Sequence, residues 1–474
     1  MPQGARTRGN IIFMSVQKKS KIRAREVFIG FLPLLAAMSL QQFLSLFVNL
    51  LDNFMLGAYM ESAMSAATVV NQIQTVLANL IIGSATGVSV LGSQYWGKKD
   101  TSTIKLIIAA GLKVSFIMGL IFTIVTAIIP GPILSLFTTD AEILAQGKEY
   151  LSIICWTYVI YSVSAHLMIS LQSVETAFIG TVMSASTIVI NGCLNYTFIY
   201  GNFGAPELGI KGAAYATLTS RCIELVIVVI YIICIDKKLQ MRFREFFKLR
   251  TGIFKDYFNV ALPIMISGAG WGVGLAIQTA VLGHIGSTAI GASSIAVTVA
   301  QIFLVASYAS ANATAVTMGK VVGNNESDVI RPLSRRFQLF FIVMGLAMGV
   351  LFFFLRRPIL SLYNVSEETE ALAEKFIIIM SISVVGSIYE YPVMGGIIAG
   401  GGDPRYEAVI DASFMWLFMI PMSCLSAFVF EWGPVVTFIF LKVDQLIKCI
   451  PNAIYCNSYK WIRNRTRPAP EETQ

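Results

Sequence analysis

Long apolar stretches separated by short polar ones dominate the pattern of this chain. Each is long enough to cross the ~30 Å hydrocarbon core of a bilayer as a helix, which takes about 20 residues at 1.5 Å per residue. Twelve spans are predicted: 27–57, 63–95, 103–129, 146–172, 177–200, 208–235, 257–283, 288–322, 333–355, 371–400, 405–430 and 433–458. The pattern therefore predicts an all-α polytopic membrane protein of about twelve transmembrane helices.

The composition agrees with this fold class. Of the 474 residues, 55% are hydrophobic and only 13% are charged, whereas soluble domains carry about 25% charged residues. So few charges do not cover a water-facing surface of this size, and lipid must replace much of the solvent. The seven cysteines form no CxxC pair, which argues against a zinc site or a disulfide framework.

The lysines and arginines indicate an orientation in the membrane. They concentrate in the segments 18–25, 98–105, 236–256 and 463–467, which all lie on one side if both termini do. The opposite loops carry mainly acidic residues. Because cytoplasmic loops are enriched in lysine and arginine, we predict a multi-pass protein of the cell membrane with both termini in the cytoplasm.

A weak internal repeat divides the chain near its midpoint. Gly57 aligns with Gly283 and Gly97 with Gly323 at one constant offset. Repeats of this kind predict two six-helix lobes related by a pseudo-two-fold axis. The predicted order is a tail (1–26), an N-lobe (27–235), a basic linker (236–256), a C-lobe (257–458) and a second tail (459–474). The linker need only span the lobes, so we expect it to tolerate lengthening.

One carboxylate and two amides inside the spans are candidates for an ion site. Asp52 lies in the outer half of span one, and a carboxylate at the bilayer centre costs ~2.5–3.5 kcal/mol. Asn191 and Asn195 share one face of span five because they are four residues apart. Together they offer hard oxygen ligands for Na⁺, or Asp52 alone takes a proton. The alternatives are an interfacial cap at Asp52 and plain inter-helix hydrogen bonds at the amides.

Other polar residues inside the spans have several interpretations. Arg221 and Glu224 are expected to form an ion pair, the least costly form of a buried charge. Glu390 has no cation nearby in sequence and is either a second titratable site or a residue snorkelling to the interface. His166 is expected to pack by hydrogen bonds rather than relay protons. The spans show no nucleophile with a base, which argues against an enzyme.

Nucleotides are not expected partners. The segment from Gly92 to Lys99 approaches the phosphate-binding pattern GxxxxGK[ST], but Lys99 stands where a hydroxyl residue is needed. The segment also ends a membrane helix instead of joining a strand to a helix. We therefore expect no nucleotide, no nucleic acid and no cofactor beyond a coupling ion.

The order and spacing of several segments resemble the MATE (multidrug and toxic compound extrusion) transporters. The resemblance covers about residues 26–460. It is carried by Asp52 to Gly57, the helix end at Gly92 to Gly97, the Asn191 and Asn195 pair, Gly209 to Thr217 and Gly400 to Arg405. It implies two six-helix bundles forming a V. The implied activity is Na⁺- or H⁺-driven antiport that exports amphipathic or cationic organic compounds.

The resemblance also implies site residues. In members with a first-lobe ion site, an aspartate on helix one works with polar residues on helices five and six. The four corresponding residues are Asp52, Asn191, Asn195 and Thr217. Some members have a second aspartate at the position of Asn195, so the identity of the ion stays open. Gln278 corresponds to Asp52 across the repeat, and Glu390 is the acidic candidate for a second-lobe site.

The alternative function within transport is a lipid-linked oligosaccharide flippase of the same superfamily. Such a protein needs a strongly cationic central cavity to hold pyrophosphate, and Arg221 is the main intramembrane cation evident in the sequence. A receptor or a membrane enzyme is the other class. The favoured hypothesis is a monomeric exporter of small organic compounds in the lipid bilayer.

Overall fold

The computed structural model describes residues 3–138, 140–361, 363 and 365–467, and this part of the chain forms helices and no strands. The helices are α1 (Gln3–Tyr59), α2 (Glu61–Gly97), α3 (Thr101–Ile128), α4 (Pro130–Leu134), α5 (Ala141–Ile154), α6 (Thr157–Gln172), α7 (Phe178–Tyr200), α8 (Ile210–Ile230), α9 (Thr251–Ile285), α10 (Ser287–Gly323), α11 (Ser327–Leu360), α12 (Glu367–Tyr391), α13 (Pro404–Phe414), α14 (Ile420–Cys424), α15 (Gly433–Lys442), α16 (Asp444–Ile447) and α17 (Cys449–Ser458). Within the described residues, 10 helical segments are long and apolar enough to cross a bilayer, or up to 11 if α5 and α6 are one bent span. The predicted all-α polytopic membrane fold is confirmed.

The fourth predicted span is broken rather than continuous. Helices α5 and α6 meet at 54°. Threonine hydroxyls donate hydrogen bonds to two backbone carbonyls near the break. Thr157 donates to the carbonyl of Ile154 at 2.6 Å, and Thr123 of α3 donates to that of Cys155 at 3.0 Å. Side-chain donors that satisfy carbonyls in this way allow a helix to bend sharply.

The twelfth predicted span, 433–458, is divided into α15, α16 and α17. The helices are separated by single residues, Val443 and Lys448, whose backbone angles are still helical. Ser383 of α12 donates to the carbonyl of Lys442 at 3.0 Å, next to the first of these residues. Hydrogen bonds four residues back continue across both positions, from the N–H of Lys448 to the carbonyl of Asp444 at 2.8 Å and from the N–H of Asn452 to the carbonyl of Lys448 at 3.1 Å. The segment is therefore one distorted helix, and its three regular pieces are each too short to count among the long spans.

The chain divides into two compact units. The N-terminal unit comprises Leu40–Gly92 and Thr101–Gly272, and the C-terminal unit comprises Met1–Ser39, Ser93–Asp100 and Val273–Gln474. In the N-terminal unit, Leu151 and Tyr158 belong to a buried apolar cluster shared by α1, α2 and α5 to α8. The lobe boundaries given by the repeat stay a prediction.

Small residues allow close helix packing within each unit. In the N-terminal unit, a β-carbon at Gly87 would lie 2.6 Å from that of Ala261. In the C-terminal unit, a β-carbon at Gly349 would lie 2.7 Å from the carbonyl oxygen of Ser381. Distances this short leave room only for glycine, so these glycines pack helices together as small-xxx-small motifs do in membranes.

The segment 236–250, between α8 and α9, is packed onto the N-terminal unit. Asp236 accepts hydrogen bonds from the backbone N–H groups of Lys238, Leu239 and Gln240. Leu239 and Met241 are buried. The segment therefore makes contacts of its own besides connecting α8 to α9, and its tolerance to lengthening stays a prediction.

Two lysines of α3 hold a short 3₁₀ helix in this segment, Phe243–Phe247, which we call the linker helix. Lys105 pairs with Glu245 at 3.0 Å, and Lys113 donates to the carbonyls of Phe247 and Lys248 at 3.0 Å each. Burial opposes the ionisation of Glu245, but the backbone N–H of Arg242 and the Lys105 ammonium hold its pKa below the usual value. The ion pair therefore persists at neutral pH.

Candidate functional site

Asp52, near the C-terminal end of α1, meets two amides of α7. Asn195 donates from Nδ2 to Asp52 Oδ1 at 2.5 Å and to Asn191 Oδ1 at 3.1 Å. Asn191 in turn donates to the hydroxyl of Thr217, on α8, at 3.5 Å. The four residues that the resemblance implies thus form one hydrogen-bonded chain across three helices of the N-terminal unit.

The oxygen of Asn195 is left without a donor. Asn191 and Asn195 are buried, and both hydrogens of the Asn195 amide are already used. Its Oδ1 accepts no hydrogen bond from any described residue. A buried acceptor without a donor costs about 1–3 kcal/mol. A cation or a water molecule at this oxygen would remove that cost.

A small polar cavity of about 30 Å³ opens beside Asp52. Its polar wall comes from five helices: Asn49, Asp52, Asn71, Gln74, Tyr150, Thr187, Asn191, Thr217, Ser220 and Arg221. About 10–15 Å³ accommodates one water molecule, so the cavity fits an ion with water rather than an organic substrate. Asn71 and Gln74 were not predicted from the sequence, although two amides three residues apart in an apolar span are a usable indication.

Arg221 and Glu224 form the predicted ion pair. Their charged groups are 2.7 Å apart, and Ser164 donates to the second oxygen of Glu224 at 3.3 Å. The guanidinium carbon also lies 5.1 Å from the ring centroid of Tyr161. Arg221 lines the same cavity as Asp52. Its charge is already balanced by Glu224, so it does not by itself neutralise Asp52.

His166 lies in a buried network within the N-terminal unit. Its Nδ1 lies 3.0 Å from the hydroxyl of Ser115, which lies 3.1 Å from that of Ser84. Ser84 in turn lies 2.6 Å from the hydroxyl of Tyr257. These contacts join α2, α3, α6 and α9, as expected for a hydrogen-bonded packing residue.

Glu390 is buried in the C-terminal unit beside a lysine. Its side chain is 0% exposed, and the nearest Lys448 contact is 3.4 Å. Lys448 itself is 1% exposed. No cation lies near Glu390 in sequence, but α12 packs against the α16 and α17 region, and this packing brings Lys448 to it. Full burial also excludes snorkelling to the interface.

Lys448 is shared by several carboxylates. Besides Glu390, it contacts Asp411 at 3.0 Å and Asp444 at 3.4 Å. Both oxygens of Glu390 and one oxygen of Asp444 are buried without a hydrogen bond from a described residue. One ammonium group thus faces three carboxylates. Full ionisation would leave a net negative charge in a membrane span, which is costly.

Gln278 is engaged elsewhere. Its Oε1 accepts a hydrogen bond from Lys442 at 2.8 Å, and its Nε2 lies 3.5 Å from the sulfur of Met419. Glu390 and Gln278 therefore contact different lysines of the C-terminal unit. In the part of the chain that the structure describes, no group of three or more histidine, cysteine or acidic side chains is arranged to hold a metal ion.

Comparison with known proteins gives one consistent result. The sequence profile of one protein family, MatE, matches residues 37–197 and 263–425, one stretch in each half of the chain. A Thermotoga maritima protein described as "Probable multidrug resistance protein NorM" is 20% identical over 430 residues, which are 88% of this chain and 89% of that protein. A Halalkalibacterium halodurans protein of the same description is 24% identical over 346 residues, 72% and 75% of the two chains.

The fold matches solved structures as well. The crystal structure of a mutant of the Vibrio cholerae MATE transporter VcmN superposes with a TM-score of 0.83. The match covers 94% of this chain and 99% of that one at 17% sequence identity. At this identity the similarity shows a shared fold.

Proposed function

The chain belongs to the MATE family of membrane transporters, and from that premise we propose that it exports amphipathic or cationic organic compounds in exchange for Na⁺ or H⁺. The observation that carries the proposal is the hydrogen-bonded chain from Asp52 to Asn195 and Asn191 beside a polar cavity of ionic size. The description of its NorM relatives as probable multidrug resistance proteins supports the substrate class.

Charge balance supports Asp52 as the coupling group. Glu224 already neutralises Arg221, so Asp52 is the acid of this cavity that still needs a cation. Either a proton or a sodium ion satisfies it, and the free oxygen of Asn195 is a ready neutral ligand. One charge moving through ~100 mV supplies ~2.3 kcal/mol, which supports about a fifty-fold substrate gradient.

We further propose Glu390 as a second proton-binding group, in the C-terminal unit. The support is that Lys448 faces three carboxylates, so protons must neutralise part of the cluster. Gln278 has no titratable group and is bonded to Lys442. Gln278 therefore has no part in proton binding, and its role is to position Lys442.

The flippase alternative receives no support from the two lysines of α15 to α17 that lie inside the predicted span. A pyrophosphate-binding cavity requires cations that are free to meet the ligand. Lys448 is surrounded by carboxylates, and Lys442 donates to Gln278. Among the described residues, buried Lys448, half-buried Lys442 and half-buried Arg221 already contact protein partners, which favours export of cationic over anionic compounds.

We propose that both termini and the segment 236–250 are cytoplasmic, and a cysteine-labelling experiment tests this. In a cysteine-free background, Arg244→Cys in intact cells should not react with a membrane-impermeant maleimide, because α8 ends on the cytoplasmic side. Gly204→Cys, in the loop between α7 and α8, should react. Labelling at position 244 but not at 204 would invert the orientation.

The amides should tune the affinity for the ion without being indispensable. Asn195→Ala removes a neutral ligand and the hydrogen bond to Asp52, so the ion concentration at half-maximal export should rise about tenfold. Asn191→Ala should have a smaller effect. Asn202→Ala, in the loop after α7, is the control. Unchanged ion dependence in Asn195→Ala would remove this residue from the site.

A further inference from the structure

A second cavity, of about 460 Å³, opens beside the linker helix in the N-terminal unit. Its walls come from α3, α6 and α8, and the linker helix forms the remaining side. We call this cavity the groove. The residues that shape it are almost all apolar: Phe116, Ile117, Leu167, Val229, Phe243 and Phe247.

Aromatic rings at the mouth of this groove are uncovered by protein. Phe243 is 61% exposed and Phe247 is 68% exposed, and their ring centroids lie 5.5 Å apart in an edge-to-face pair. On the α3 wall, Ile117 is also exposed. In a membrane protein such a surface faces acyl chains, and the volume of the groove lies within the range of pockets that enclose a ligand.

The linker helix is surrounded by cationic side chains. Arg242, Arg244, Lys248 and Arg250 are all exposed. The acids of this segment are already engaged: Asp236 accepts backbone N–H groups, and Glu245 pairs with Lys105 of α3. The exposed rim is therefore positively charged, which matches the phosphate of an anionic lipid headgroup.

The point at which the linker helix contacts α3 places its exposed cations at the membrane boundary. Helix α3 has 28 residues and is about 42 Å long at 1.5 Å per residue, which exceeds the ~30 Å hydrocarbon core. Lys105, in its second turn, holds the linker helix, while Phe116 lines the groove more than two turns further along. Exposed aromatic rings beside cations are the composition of a helix that lies in the interface plane.

We propose that this groove binds an anionic phospholipid. One acyl chain lies between α3, α6 and α8 against the rings of Phe243 and Phe247. The headgroup phosphate is held by Arg242, Arg244 and Lys248. The bound lipid stabilises the packed linker segment, and this site is independent of the coupling ion at Asp52.

Native mass spectrometry of the full-length protein with equal amounts of dioleoyl phosphatidylglycerol and dioleoyl phosphatidylcholine tests the site. The wild type should retain phosphatidylglycerol in preference to phosphatidylcholine. The triple variant Arg242→Gln, Arg244→Gln and Lys248→Gln should weaken phosphatidylglycerol binding by roughly 100-fold, at about a factor of five per cation. The triple variant Arg331→Gln, Arg335→Gln and Arg336→Gln removes the same charge from another segment and should keep the preference.

Variants that fill the groove test the binding of the acyl chain separately from the binding of the headgroup. Val229→Trp, or the milder Val163→Phe, should lower retention of the lipid while the protein still elutes as a folded species. Equal retention of both lipids by the wild type would overturn the proposal. An equal loss of preference in both triple variants would also overturn it, as would full retention in both groove-filling variants.

Discussion

Replacing Asp52 by asparagine should abolish gradient-driven export while leaving the protein folded. Asparagine keeps the shape of the side chain, and its carbonyl oxygen still accepts the hydrogen bond that Asn195 donates to Asp52. It cannot take up a proton or balance a sodium ion. Without ~2.3 kcal/mol per charge at ~100 mV, the substrate gradient should fall about fifty-fold. Transport of a fluorescent organic cation in membrane vesicles measures the loss.

A structural role for Asp52 predicts the opposite pattern. The free energy of unfolding would then drop, while the protein that remains folded would still couple export to the gradient. For Asp52→Asn we expect a change in stability of no more than about 1 kcal/mol. Asp140→Asn is the matched control, because Asp140 is an exposed cap of α5 and asparagine caps helices equally well. It should transport normally.

Replacing Lys448 by methionine should produce the largest loss of stability. Removing one partner of a buried ion pair costs about 3–5 kcal/mol, because the remaining charge is left uncompensated. Here Glu390, Asp411 and Asp444 would all lose the cation that they contact. Thermal unfolding of the purified protein in detergent should show a clearly lower midpoint than for the wild type.

A second substitution separates charge from packing in this cluster. Glu390→Gln in the Lys448→Met background removes one uncompensated carboxylate and should recover part of the lost stability. Lys375→Met is the control, at an exposed position of α12, the helix that carries Glu390. It should change the free energy of unfolding by no more than about 0.5 kcal/mol. If both lysine variants unfold alike, Lys448 does not hold the cluster together.

The N-terminal candidate site was accessible from sequence because its pattern is local. Asn191 and Asn195 are one helical turn apart, and a helix places such a pair on one face whatever surrounds it. Asp52 stands out as a lone carboxylate in an apolar span. The periodicity carries no information on the contact between α1 and α7. The grouping of Asp52 with the two amides as hard oxygen ligands suggested this contact, and the resemblance to MATE transporters agreed with it.

The C-terminal cluster was hidden for the opposite reason. Glu390 and Lys448 meet only through packing of α12 against the end of the chain, and a local pattern carries no information on such a contact. Lys448 lies between α16 and α17, in a predicted span whose many apolar residues gave no sign of a buried ion pair.

The most direct test of ion-coupled export is dye efflux from liposomes that contain the purified protein, under Na⁺ and H⁺ gradients imposed one at a time. We predict that the wild type drives efflux of a cationic dye under at least one of the two gradients and not without one. The Asp52→Asn variant should show background efflux under both. Efflux by Asp52→Asn at the wild-type rate under the effective gradient would contradict the account.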